Sequence, residues 1–266
     1  MPRITSGDAE LFYEVIGQGP PLVLLHPFPA HHEFWLSAAQ AISTRYRLIL
    51  PDLRGHGDSS PGEGPASMEK HATDILRICD QEAVGRAAFA GVSIGGYVMF
   101  EFWRRYRERV TVLALCNTRP QAETAESRAA RLKTATDVLE HGTEPFIESM
   151  VPKVFGKTTI ANRPDLVDAA KRMMRKMSPN AVNLVQRGMA DRPDSIPTLK
   201  TINVPTLILG AEEDVASPLA DAELMRQSIA RAHLEVIPRA GHYATFEQPQ
   251  QAGAILRKFF DTAYKA

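Results

Sequence analysis

Short apolar runs recur along the chain, each closed by Gly, Pro, Asp or Asn. They are Pro21–His26 (PLVLLH), Tyr46–Asp52 (YRLILPD), Arg86–Val92 (RAAFAGV), Val110–Asn117 (VTVLALCN), Val204–Gly210 (VPTLILG) and His233–Pro238 (HLEVIP). Runs of this length, bounded by turn residues, predict strands buried on both faces. Between them lie segments with helical spacing: Phe34–Ser43, Met68–Val84, Gly95–Tyr106, Ala220–Ala230 and Gln248–Tyr264. Strand and helix alternate, which predicts an α/β fold with a mostly parallel sheet and helices on both faces. The opening stretch Arg3–Gly17 (RITSGDAELFYEVIG) differs. It alternates polar and apolar residues around Ser6-Gly7-Asp8 and predicts an antiparallel hairpin at one sheet edge.

The alternation breaks between Arg119 and Pro197. Apolar residues there recur at helical spacing: Leu132, Val138 and Leu139; Phe146, Ile147 and Met150; Met173, Met174 and Met177; Val182, Leu184 and Val185. Arg163–Asp165 (RPD) and Ser178–Asn180 (SPN) are helix-start signals. The expectation is an all-helical insertion of three or four helices at 119–197, with a core built from 1–118 and 198–266.

Composition narrows the picture. At 266 residues and 44% apolar, the chain can bury a large core without disulfides. Cys79 and Cys116 lie in a predicted helix and a predicted strand, so they read as buried structural thiols. Basic and acidic residues balance at 31 each, leaving no overall field for nucleic acid or an anionic membrane. No apolar run approaches the roughly 20 residues of a membrane span. The N-terminal stretch lacks an apolar run behind a basic start. A cytoplasmic protein acting on a small molecule is expected; oligomeric state is not legible.

One serine stands out. Gly91-Val92-Ser93-Ile94-Gly95 fits G-x-S-x-G, where an apolar strand ends and a helical pattern begins. A nucleophile on such a turn needs neighbours without side chains so that strand and helix can approach. A plain strand–helix turn would also use these glycines. A serine hydroxyl needs a base, and the base an orienting acid. His242 follows the last predicted strand in PRAGHYATFEQP, and Asp214 follows Val204–Gly210 in LILGAEEDVASP. Taken singly, they read as a loop histidine and a surface carboxylate or helix cap. Glu212 and Glu213 compete for the acid role. The order Ser93, Asp214, His242 is the one expected of groups at the C-terminal ends of successive parallel strands. An oxyanion needs two donors. The Ile94 N–H, at a helix start, is one candidate. The Phe28 N–H is the other, because the flanking Pro27 and Pro29 have none.

The chain resembles the α/β-hydrolase superfamily over nearly its whole length. The resemblance rests on HPFP (His26–Pro29), DLRGHGDSS (Asp52–Ser60), GVSIGG (Gly91–Gly96), GAEEDVASP (Gly210–Pro218) and AGHYATFEQP (Ala240–Pro249). It implies Ser93 as nucleophile, His242 as base, Asp214 as acid, and the Phe28 and Ile94 N–H groups as oxyanion donors. It also implies that 119–197 is a helical cap over the site and that His56 is structural. Where the family has His-Gly in the oxyanion loop, this chain has His26-Pro27, which leaves the donor role to Phe28. Relatives with aspartate at the position of Ser93 run dehalogenase or epoxide hydrolase chemistry, which serine does not support. Compact members of the 3-oxoadipate enol-lactonase and small-esterase type are the most similar, implying a carboxylic ester or lactone as substrate. Perhydrolases (cofactor-free haloperoxidases), carbon–carbon bond hydrolases, a lyase and a non-catalytic ligand sensor are the alternatives on the same residues.

Phe28, Trp35, Ile94, Phe146 and the cap methionines are candidates to line an apolar pocket, against ordinary core packing. Arg119, where the chain leaves the sheet, either meets a carboxylate or is solvated. No His/Cys ligand spacing or dinucleotide loop occurs, so neither metal nor organic cofactor is expected.

Overall fold

The computed structural model describes residues 2–264. Eight strands form one sheet: β1 (Arg3–Ser6), β2 (Ala9–Ile16), β3 (Pro21–Leu25), β4 (Arg47–Pro51), β5 (Ala87–Val92), β6 (Val110–Cys116), β7 (Thr206–Ala211) and β8 (Ala232–Ile237). Their order is β1-β2-β4-β3-β5-β6-β7-β8. β1 and β2 form the expected hairpin, paired Ser6↔Ala9 across Gly7-Asp8, and β2 runs antiparallel to β4. All pairings from β4 through β8 are parallel. β5 and β7 are buried at every position, whereas the edge strand β8 is half exposed. That gradient is why the central strands read as continuous apolar runs.

Helices cover the sheet. α1 (Leu36–Ile42) packs with α12 (Pro249–Ala263), and α2 (Met68–Gln81) with α3 (Ile94–Tyr106). α10 (Leu219–Ser228) lies on β7 and β8, and the short α11 (Ala244–Glu247) leads into α12. α2 starts on Ser67, whose side chain accepts from the Lys70 N–H, and it ends at Gln81 rather than the expected Val84. The chain turns there through Ala83 at φ 53°. Both cysteines are free and buried.

Between β6 and β7 the described chain has no strand. It carries α4 (Ala125–His141), α5 (Glu144–Val154), α6 (Lys157–Asn162), α7 (Pro164–Met174), α8 (Pro179–Ala190) and the single turn α9 (Ile196–Leu199). The expectation of three or four helices was too low. Gly142 at φ 75° ends α4, and Gly156 separates α5 from α6; neither break interrupts the apolar spacing. α7 and α8 begin at the expected RPD and SPN signals, with the Ser178 hydroxyl capping α8. Among the described residues no helix is long and apolar enough to cross a membrane.

Candidate active site

Ser93 sits between β5 and α3 at φ 54°, ψ −113°, a backbone conformation an L-residue rarely adopts. Close packing imposes it. A Cβ on Gly91 would lie 2.5 Å from the Gly95 carbonyl carbon, and one on Gly95 2.6 Å from the Leu25 oxygen. The end of β6 holds the turn. The Ser93 N–H points at the Cys116 and Asn117 carbonyls (3.1 Å each), and the Thr118 hydroxyl donates to the Ser93 carbonyl at 2.8 Å.

His242 and Asp214 meet from the loops after β8 and β7, with His242 Nδ1 2.9 Å from Asp214 Oδ2. Both are buried. Asp214 Oδ1 accepts the Ala216 and Ser217 N–H groups at 2.8 and 2.9 Å. Oδ2 accepts the Ser217 hydroxyl at 2.6 Å and the Asn117 carboxamide at 2.9 Å. Burial alone would raise the Asp214 pKa. The His242 ring and the Ser217 bonds outweigh it and hold the carboxyl at about 2. Glu213, the rival acid, faces away: it accepts the Thr158 N–H (2.9 Å) and hydroxyl (2.6 Å). Glu212 accepts the Arg239 N–H.

The loop bearing His242 is tied to the α5–α6 turn. Glu247 accepts the Gly241 N–H at 2.8 Å and the Gly156 N–H at 3.0 Å, while the Tyr243 N–H donates to the Val154 carbonyl at 2.8 Å. The two glycines touch; a Cβ on Gly241 would lie 2.2 Å from the Gly156 nitrogen.

The Phe28 loop is anchored on several sides. The buried Tyr243 hydroxyl donates to the Phe28 carbonyl at 3.1 Å. His26 Nε2 accepts the Leu53 N–H at 2.9 Å, tying the loop after β3 to the one after β4. His56 is fully buried and packs edge-on against the Phe28 ring, as a prop rather than a cavity group. Arg54 of the same stretch is clamped by both Asp74 oxygens at 2.8 and 2.9 Å. Among the described residues the Phe28 and Ile94 N–H groups donate to no protein acceptor.

A cavity of about 290 Å³ opens onto these groups. Phe28, Ser93, His242, Arg119 and Phe146 line it, joined by Tyr97, Met150, Val154, Met189 and Ala216. Trp35 is a correction. It is fully buried against Phe34 behind the loop, because the one-turn helix His32–Trp35 directs it into the core. The side chains of Ile94, Met173, Met174 and Met177 are likewise core. Sequence reasoning missed Asn117, Ser217 and Tyr243. The usable signal was position: Asn117 is a polar residue directly after an apolar strand, at the same sheet edge as Ser93 and Asp214.

His31, His32 and Asp52 place ligand atoms within 4.8 Å of one another, the one such buried group among the described residues. Both Asp52 oxygens are engaged. Oδ1 accepts the His32 N–H (2.7 Å) and faces its Nδ1 (2.8 Å), and Oδ2 accepts the Asp58 N–H (2.8 Å). This set joins the loop after β3 to the loop after β4 through Asp52.

A family model described as the alpha/beta hydrolase fold matches residues 20–249. The chain belongs to the α/β-hydrolase fold family. At family level it is a hydrolase-type enzyme. It is 33% identical to a thermophilic esterase from Thermogutta terrifontis, solved with malate bound, over 99% of both chains at a TM-score of 0.95. It is 26% identical to 3-oxoadipate enol-lactonase 2 of Acinetobacter baylyi over 262 residues, covering 96% of each. The enol-lactonase from Burkholderia xenovorans LB400 is 23% identical over 98% of this chain and 100% of that one, at a TM-score of 0.91, and shares the fold. In this α/β hydrolase the eight-stranded sheet carries Ser93, Asn117, Asp214 and His242 at one edge, after β5, β6, β7 and β8.

Proposed function

We propose that this α/β hydrolase cleaves small carboxylic esters or lactones through a Ser93–His242–Asp214 triad. Residues 119–197 act as the cap over the site. The observation that carries the reading is the buried His242–Asp214 contact of 2.9 Å, with His242 and the strained Ser93 lining one cavity.

The Ser93 oxygen attacks the substrate carbonyl while His242 accepts its proton through Nε2. Asp214 faces Nδ1, which fixes the ring orientation and stabilises the imidazolium. The negative charge that forms on the carbonyl oxygen is met by the Phe28 and Ile94 N–H groups, which lack protein acceptors. The alcohol leaves with the proton from His242. Water then attacks the acyl-enzyme by the same route and releases the acid. For a lactone the leaving alcohol stays attached to the acyl group, and a hydroxy acid departs. A cavity of about 290 Å³ suits a small substrate. The names of the enol-lactonase and esterase relatives support this chemistry.

Incubation with a p-nitrophenyl alkylphosphonate, followed by mass spectrometry, tests the assignment. One adduct on Ser93 is expected, absent from Ser93→Ala, together with loss of short-ester turnover. Turnover retained by Ser93→Ala would overturn it.

A further inference from the structure

The cavity is not uniformly apolar. One end holds Ser93 and His242, and the wall built by α4, α5 and the chain after β6 carries Arg119, Arg131 and Lys153 with a single acid, Glu123. Glu123 is buried, its side chain only 1% exposed, and three arginines converge on it. Arg131 Nε donates at 2.6 Å, Arg119 Nη2 at 3.1 Å, and Arg192 Nη1 makes a third contact. Burial opposes ionisation of Glu123, but Arg131, Ser127 and Arg192 together hold its carboxyl at about 2. So the wall stays positive after its one internal carboxylate is counted.

The three arginines are not equivalent. Arg192 is 3% exposed, lies over the Tyr97 ring at 4.2 Å and donates to the Gln121 carbonyl. Arg131 also donates to Gln186 Oε1 at 2.9 Å. Arg119 has the longest contact with Glu123; its buried Nε has no protein partner, which is also true of Arg192, but of these two only Arg119 lines the cavity. A buried N–H without an acceptor is costly and rare. Arg119 can therefore turn from Glu123 to a ligand while Arg131 and Arg192 keep Glu123 satisfied.

We propose that Arg119, Arg131 and Lys153 form an anion subsite, and that the natural ester or lactone carries a carboxylate. A hemi-ester of a short dicarboxylic acid is the simplest such substrate. Glu123 is the guide to this chemistry, since the same guanidinium forks already hold a carboxylate. A guanidinium fork matches the two oxygens of a planar carboxylate, and inorganic phosphate is the competing anion that the test includes. The proposal rests on the ester-hydrolase reading above.

The test compares monomethyl glutarate with methyl valerate, in which a methyl group replaces the carboxylate. The wild-type kcat/KM is expected to favour the hemi-ester by at least about tenfold. Arg119→Gln, and separately Arg131→Gln, should collapse that ratio; reading it within each variant cancels any loss of folded protein. A wild-type ratio near one, or a ratio that neither variant changes, would overturn the subsite. Calorimetry of glutarate and of inorganic phosphate on Ser93→Ala reads the subsite without turnover. Glutarate binding that weakens with Arg119→Gln supports it. Phosphate binding as tightly as glutarate counts against the carboxylate assignment. If neither ester is turned over yet glutarate binds, the hydrolase reading fails while the anion subsite stands.

Discussion

The Asn117 carboxamide donates to Asp214 Oδ2 at 2.9 Å, reaching from the end of β6 to the loop after β7. Asn117 holds this position at φ 41°, a left-handed conformation that asparagine tolerates better than most residues. Asn117→Gly keeps the backbone comfortable and removes only the amide. A hydrogen bond to a charged group is worth about 1.5–3 kcal/mol, so kcat on a short ester should fall by about ten- to a hundredfold. Steady-state kinetics checks this. An unchanged kcat would mean that Ser217 and the two loop N–H groups suffice to place Asp214.

Asp214 and Glu213 are neighbours in sequence but face different partners. Asp214→Asn should lower kcat by roughly a thousandfold or more, by analogy with acid-to-amide changes in other triads. Glu213→Gln should cost less than about tenfold in kcat, because Glu213 meets Thr158 and not His242. The reverse ranking would move the acid role to Glu213.

Glu247 bridges two backbone N–H groups, one beside His242 and one between α5 and α6. Glu247→Gln can satisfy only one of them and turns an NH₂ towards the other. A lower Tm by thermal scan and a reduced kcat are expected together, since the His242 loop and the α5–α6 turn lose their shared acceptor. A loss of Tm without any change in kcat would show that His242 is placed by Asp214 and Ser217 alone.

A methyl group on Gly95 would press on the Leu25 carbonyl, where β3 ends and the Phe28 loop begins. Gly95→Ala should destabilise by about 1–3 kcal/mol, as overpacked cores do. It should also weaken oxyanion stabilisation by shifting that loop. Urea denaturation and ester kinetics on the same preparation read both effects. Full stability with full activity would show that β3 yields without moving Phe28.

Asp52 and Asp214 each have a folded pKa of about 2, against 3.8 for the free side chain. For Asp52, burial pushes upward, and the His32 bond and nearby histidine charge push further down. A depressed carboxyl stabilises the fold above its unfolded pKa and loses that contribution as pH falls through the folded one. Each is worth on the order of 2 kcal/mol, so stability should drop most steeply between pH values of about 4 and 2. Urea midpoints across that range test it, with Asp214→Asn expected to flatten the slope. An equal slope in the variant would assign acid sensitivity elsewhere.

Much of this protein was written in local pattern. The apolar runs ended by Gly, Pro, Asp or Asn determined the parallel strands, because a strand buried on both faces must be apolar throughout. The placement of Ser93, Asp214 and His242 at one sheet edge was legible because each follows such a run, and strand ends gather at one edge whatever lies between. Only the tertiary structure decided the rest. It turned Asp214 towards His242 and Glu213 towards Thr158, showed Trp35 to be core and not cavity, and divided 119–197 into five helices and a turn. It also brought Arg119, Arg131 and Arg192 onto one buried Glu123. Periodicity reports which face of an element is apolar, but not which distant element meets it. Asn117 to Asp214 and Glu123 to Arg192 span 97 and 69 residues, and such contacts exist only once the sheet and the helices between β6 and β7 have closed on each other.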